Sequence, residues 1–95
     1  MSIVFSEHAW EDYLYWQKHD RQTLRRINDL IRDIRRHPYD GIGKPEPLRH
    51  ALRGYWSRRI AGEHRLVYRV VLAPDDPSAS QGPSSILIAQ ARYHY

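Results

Sequence analysis

The stretch Ala91, Arg92, Tyr93, His94, Tyr95 sets a guanidinium, two phenols and an imidazole side by side. Such groups bind phosphate, stack on bases or move protons. Upstream, between Lys44 and Arg69, seven cations (Lys44, Arg49, Arg53, Arg58, Arg59, Arg65, Arg69) are opposed by only two anions, Glu46 and Glu63. The whole chain carries a net charge of +4, so the excess sits in this one segment. Nearly all of the cations are arginine, whose planar fork matches phosphate oxygens better than an ammonium does. A polyanion, most simply a nucleic acid, is the expected partner.

The same inventory excludes other chemistries. There are no cysteines, which removes disulfide frameworks, thiolate zinc sites and thiol nucleophiles. His8, His19, His37, His50, His64 and His94 never fall at the i, i+4 spacing of a helical zinc pair, and the basic half has no acidic cluster. Neither a G-x-S-x-G elbow nor a glycine-rich loop ending in Lys and Ser/Thr is present. No metal and no cofactor is expected. A carboxylate, an imidazole and several guanidiniums remain, and one reaction needs nothing more. RNA carries its own nucleophile, so cleavage requires a base for the 2′-hydroxyl, cations for the phosphorane charge and an acid for the departing 5′-oxygen.

The elements that position these groups follow from patterning. Ninety-five residues, 41% of them hydrophobic, make a single domain, 1–95. No basic-then-apolar leader follows Met1 and no apolar run could cross a bilayer, so a cytoplasmic protein without a membrane partner is expected. Ser2 to Phe5 reads as a strand, and Ser6 caps a helix with Trp10, Tyr13, Leu14 and Trp16 as its apolar residues, ending near His19. Asp20 caps a second helix with Leu24, Ile27, Leu30, Ile31 and Ile34 on one stripe, and Pro38 stops it. "YDGIGKPEP", from Tyr39 to Pro47, is too rich in Gly and Pro for a regular element.

Gly54 to Ile60 and His64 to Leu72 form an expected hairpin about Ala61 and Gly62, and Ile86 to Tyr93 an expected last strand. "APDDPSASQGPSS" is a polar loop at 73–85 between them. Alternation in the last strand puts Leu87, Ala89, Ala91 and Tyr93 against the helices. Ile88, Gln90, Arg92 and His94 then lie on the open face with Arg65 and Arg69.

Four segments together carry a resemblance: "SEHAWEDYLYWQ", "INDLIRDIRRHPYDGIGKPEPLRHALRGYWSRRI", "EHRLVYRV" and the closing "ARYHY". In that order they closely resemble the YoeB-type toxins of the RelE superfamily, which are ribosome-dependent mRNA interferases of toxin-antitoxin pairs. The resemblance spans nearly the whole chain. It implies an α+β fold, a RelE-like β-α-α-β-β-β domain with two N-terminal helices packed on one face of a small, mainly antiparallel sheet. It also implies cleavage of mRNA in the A site of the 70S ribosome, neutralisation by a YefM-like antitoxin, a homodimer, and contact with operator DNA only through the antitoxin complex.

Carried over by position, the resemblance makes Glu46 of "KPEP" the general base, Arg65 of "EHRLVY" the phosphate-holding cation and His94 of "RYHY" the general acid. Lys44, Arg49, Arg59 and Tyr95 are auxiliary or RNA-binding. Two departures stand out: the family passes to its last strand by a short turn where this chain has the 73–85 loop, and Arg49 stands where lysine is common. A rival reading is a non-catalytic RNA- or DNA-binding regulator, in which Tyr55, Trp56 and Tyr68 stack on bases beside the cations.

Overall fold

The structure is a computed structural model that describes residues 2–72 and 85–94. Residues 73–84 of the expected polar loop, and Tyr95, lie outside the described residues.

The first strand, β1, is Ser2–Phe5. The Ser6 hydroxyl accepts the Ala9 amide and starts α1, Glu7–His19. Asp20 does the same for α2, Arg21–Arg36, accepting from the amides of Gln22 and Thr23. The sheet strands that follow are β2 (Glu46–Pro47), β3 (Trp56–Ala61), β4 (His64–Val71) and β5 (Ser85–Gln90), with a single 3-10 turn at His50–Leu52. They form one five-stranded sheet in the order β1-β5-β4-β3-β2, parallel only between β1 and β5. The two helices cover one face, as the RelE-like expectation requires.

The core lies between that face and the helices. Ile27, Leu30 and Ile34 of α2 and Ala9 and Trp16 of α1 meet Ile60, Leu66, Tyr68, Ile86 and Ile88 of the sheet. The stripe read along α2 is therefore correct. In α1 it holds for half of its residues: Trp16 is buried and Tyr13 packs against the core, but Trp10 and Leu14 are exposed, and Ala9 and Asp12 are the other buried positions. Trp10 instead stacks on Tyr13 beside Phe5.

Three further expectations are corrected. Glu46 and Pro47, expected in irregular chain, pair with Ser57 and Trp56, and edge position lets Pro47 do so without disturbing a ladder. The hairpin turn is Gly62 and Glu63, because Ala61 pairs with His64 after a register shift. The last strand ends at Gln90, and up to Ile88 its facing is opposite to the alternation read from sequence, while Ala91 is buried against the helices as read. Ile86 and Ile88 point into the core, while Leu87 opposes the exposed Arg69.

The reason is a β-bulge. Tyr68 pairs with Ile88 but the adjacent Val67 pairs with Gln90, so Ala89 is an extra residue and the phase of the strand reverses there. Ile88 and Ala91 can both be buried only because of it. The Ala91 amide donates to Asp12 Oδ2 at 3.0 Å and its carbonyl accepts Trp16 Nε1 at 2.8 Å. Arg92 is not on the open face, since its guanidinium lies 3.5 Å from the ring centroid of Tyr15 on α1.

Candidate functional site

Alternation sorts the cations of the basic segment. Leu66 and Tyr68 face the core, so Arg65, Val67 and Arg69 occupy the opposite, open face of β4. In β3, Ile60 and Arg58 face the helices, while Ser57 and Arg59 are on the open face. Arg58 is therefore unavailable to a polyanion. It is fully buried, pairs with Asp33 Oδ2 at 2.5 Å, and donates to the carbonyls of Ile42 and Asp40, to the His37 carbonyl and to the Tyr68 hydroxyl. Burial favours the protonated form of Asp33, but the Arg58 hydrogen bond, the Ile42 amide and the Arg58 charge outweigh it and hold the carboxyl below its ordinary range.

Register then builds the open face in rows. Glu46 opposes Ser57 and Ser57 opposes Val67, so these three share a row across β2, β3 and β4. Arg59 and Arg65 oppose each other in the next row. Glu46 and Arg65 are then two strands apart and one row offset, a Cα separation of about 12 Å. Glu46 is exposed, and Ser57 and Val67 form a nearly buried floor beside it.

The other expected cations flank Glu46 on both sides, Lys44 toward Arg59 and Arg49 toward the Tyr55 end of β3. The Arg59 amide donates to the Gly43 carbonyl at 2.7 Å, which draws the segment carrying Lys44 along β3. Lys44 has φ 50° and Gly43 φ 82°, and a Cβ at Gly43 would stand 2.8 Å from Leu30 Cδ2, so a side chain is excluded there. Arg49 lines an open hollow of about 600 Å³ with Glu46, Pro47, Leu48, His50 and Arg53. Arg65 Nη1 donates to the carbonyls of Gly62 and His64 at 2.8 and 3.0 Å, and a guanidinium has five N–H donors, more than those two acceptors use.

The closing segment reaches Arg65 as well. The Arg65 amide donates to the Tyr93 carbonyl at 2.8 Å, so the exposed His94 directly follows a residue tied to Arg65. The Tyr95 expectation lies outside the described residues. Two residues were missed by sequence reasoning: His64, whose Nδ1 accepts the Tyr93 amide at 2.8 Å, and Asp12, which holds Ala91. Both are buried or half-buried polar residues on otherwise apolar positions, the one signal that marks them.

The rival reading loses two of its three stacking residues and keeps Tyr55, which is half-buried with the Arg69 guanidinium 5.9 Å from its ring centroid. Tyr68 is fully buried, donates to the Pro38 carbonyl, and burial raises its phenol above the usual range despite the nearby Arg58. Trp56 packs against the core and the Tyr39 ring. Among the described residues, no three His, Asp or Glu side chains converge as a metal cage, and no helix is long and apolar enough to cross a membrane.

A model of the YoeB-like toxins of bacterial type II toxin-antitoxin systems matches residues 5–95. Toxin YoeB of Escherichia coli K12 is 54% identical over 95 residues, covering 100% of both chains. The YoeB dimer from Staphylococcus aureus has a similar structure, with a TM-score of 0.83 at 44% identity over 100% of this chain and 98% of that one. The heterotetrameric YoeB–YefM complex of the same organism gives 0.80 at 45% identity, with the same coverage. With sequence and fold agreeing along the full length, the chain belongs to the YoeB-like toxins of bacterial type II toxin-antitoxin systems.

Proposed function

We propose that this toxin is a metal-independent endoribonuclease that cuts mRNA in the ribosomal A site and so blocks translation. The observation that carries the reading is the shared open end of β2, β3 and β4, where Glu46, Arg59, Arg65 and the segment leading to His94 meet. Glu46 takes the 2′-hydroxyl proton, the 2′-oxygen attacks the phosphorus, Arg65 and Arg59 hold the equatorial charge, and His94 protonates the departing 5′-oxygen. Lys44, Arg49 and Tyr95 support substrate binding. The upstream product ends in a 2′,3′-cyclic phosphate, and chelators leave the rate unchanged so long as the ribosomes stay intact.

An open face has no deep groove to bring the 2′-oxygen in line with the leaving oxygen, and such alignment is worth about 7 to 11 kcal/mol. The ribosome supplies it. The YoeB dimer and the YoeB–YefM complex of Staphylococcus aureus support pairing of this chain with itself and with a YefM-like antitoxin; in this reading an acidic antitoxin segment covers the cationic face and brings any contact with operator DNA. Primer extension on mRNA translated in vitro tests the reading: a cut inside the A-site codon that appears only with the protein supports it. Equal cutting of naked mRNA, or an upstream 3′-hydroxyl end, refutes it.

A further inference from the structure

We propose that His64 is a positioning residue, whose Nδ1 holds the Tyr93–His94 segment in its working geometry; the inference rests on the reading of His94 as general acid given above. Tyr93 has φ 62°, a left-handed conformation that is unfavourable for a non-glycine residue and persists only where its surroundings enforce it. Two consecutive residues of β4 do so. The His64 Nδ1 accepts the Tyr93 amide at 2.8 Å, and the Arg65 amide donates to the Tyr93 carbonyl at 2.8 Å. The second bond is made by backbone and survives any side-chain change at 65, whereas the first depends on one side chain.

His64 is itself fixed. Its ring stands edge-on to Trp16, centroids 4.8 Å apart, and Trp16 Nε1 holds the Ala91 carbonyl. Displacing the imidazole would therefore release the turn just before residue 94. A general acid displaced by 1 Å loses about a hundredfold in rate, so the anchor has a kinetic consequence out of proportion to one hydrogen bond.

The bond also sets a protonation requirement. An accepting Nδ1 has no proton, so the ring is neutral with its hydrogen on Nε2. Charging the imidazole would point two donors at each other and free the Tyr93 amide. The rings against this one are Trp16 and, 5.6 Å away between centroids, the titratable Tyr93; Glu63 and Arg65 are beside it in the chain, the Arg92 guanidinium lies 4.6 Å from the Tyr93 ring, and Ala61, its partner on β3, is uncharged.

The test pairs a structural with a kinetic readout. In amide spectra of the intact wild-type protein, the Tyr93 resonance should move in step with titration of the His64 ring. In single-turnover cleavage on programmed ribosomes, His64→Phe should keep the ring packing on Trp16 and lose about 10- to 100-fold in maximal rate, with half-saturation unchanged. His64→Asn, whose Oδ1 restores an acceptor, should recover to within about threefold of wild type. A Tyr93 amide indifferent to His64, or a folded His64→Phe that cuts at the wild-type rate, overturns the inference. Should His64→Phe fail to fold, the wild-type amide titration decides. His94→Ala separates the two readings: if it cuts normally, the role of His94 falls and this inference with it; if it is inactive while His64→Phe is not, this inference alone falls.

Discussion

Arg58 and Arg59 are neighbours in the sequence and opposites in the structure. Arg58 points under the sheet, is fully buried, and has its donors occupied by Asp33, by loop carbonyls from His37 to Ile42 and by Tyr68. Arg59 points the other way, is exposed, and opposes Arg65. One staples the irregular 37–42 segment to the sheet and so holds the fold, while the other stands where a phosphate can approach. A count of charges treats them alike. The pleat of one strand decides which charge belongs to stability and which to the substrate.

That contrast can be broken by substitution. The largest effect is expected at Arg58. Arg58→Ala leaves Asp33 and several loop carbonyls without their partner and should cost about 3 to 5 kcal/mol in urea denaturation, enough to unfold much of the population. A loss below about 1 kcal/mol would show that the buried guanidinium is not what holds the loop.

Next comes Arg65→Ala, which should leave the urea midpoint within error and lower ribosomal cleavage by about 10²- to 10³-fold, the usual consequence of removing a group aimed at developing charge. If stability and rate fell together, the division between the two faces would be false. Arg59→Ala should fold normally and lose only about tenfold, some 1.4 kcal/mol of barrier, because Arg65 still holds the phosphate. The same variant should bind ribosomes with a shallower dependence on salt, measurable by filter binding.

The smallest effect concerns acid. The Asp33 carboxyl lies below its ordinary value in the folded protein, so its contribution is present in full above the unfolded carboxylate range and is lost as pH falls through the depressed folded value. Urea midpoints measured downward from about pH 4 should decline on this account, with the helix-covered face loosening first. Asp20 adds to the same limb: the Thr23 hydroxyl and the amides of Thr23 and Gln22 lower its carboxyl against a small opposing effect of burial. Asp20→Asn keeps a competent cap and should therefore flatten part of the decline without changing stability at neutral pH.

Much of this molecule was legible beforehand where a periodic signal stood alone. The α2 stripe, both helix caps and the hairpin followed from residue order, since each is a local preference that tertiary contacts reinforced. The facing of β5 was not legible. Alternation carries no mark where a strand takes in one extra residue, and Ala89, small and apolar, suits either phase. Arg58 was misjudged for a related reason, because its partner Asp33 lies 25 residues away, on α2. Glu46 and Arg65 were singled out by resemblance, and register across β2, β3 and β4 is what brings them to one end.

The parallel pairing of β1 with β5 has a consequence for how the chain comes into being. β5 enters the sheet between β1 and β4, yet it is the last described element to leave a ribosome during synthesis. Until Ile86 and Ile88 arrive, the first strand has no neighbour and the helices cover an incomplete floor. A nascent chain can therefore display the basic hairpin early but cannot close its core around it, because the longest-range contacts are made last. Maturation is timed by topology: the chain acquires a rigid open face only once β5 has been made.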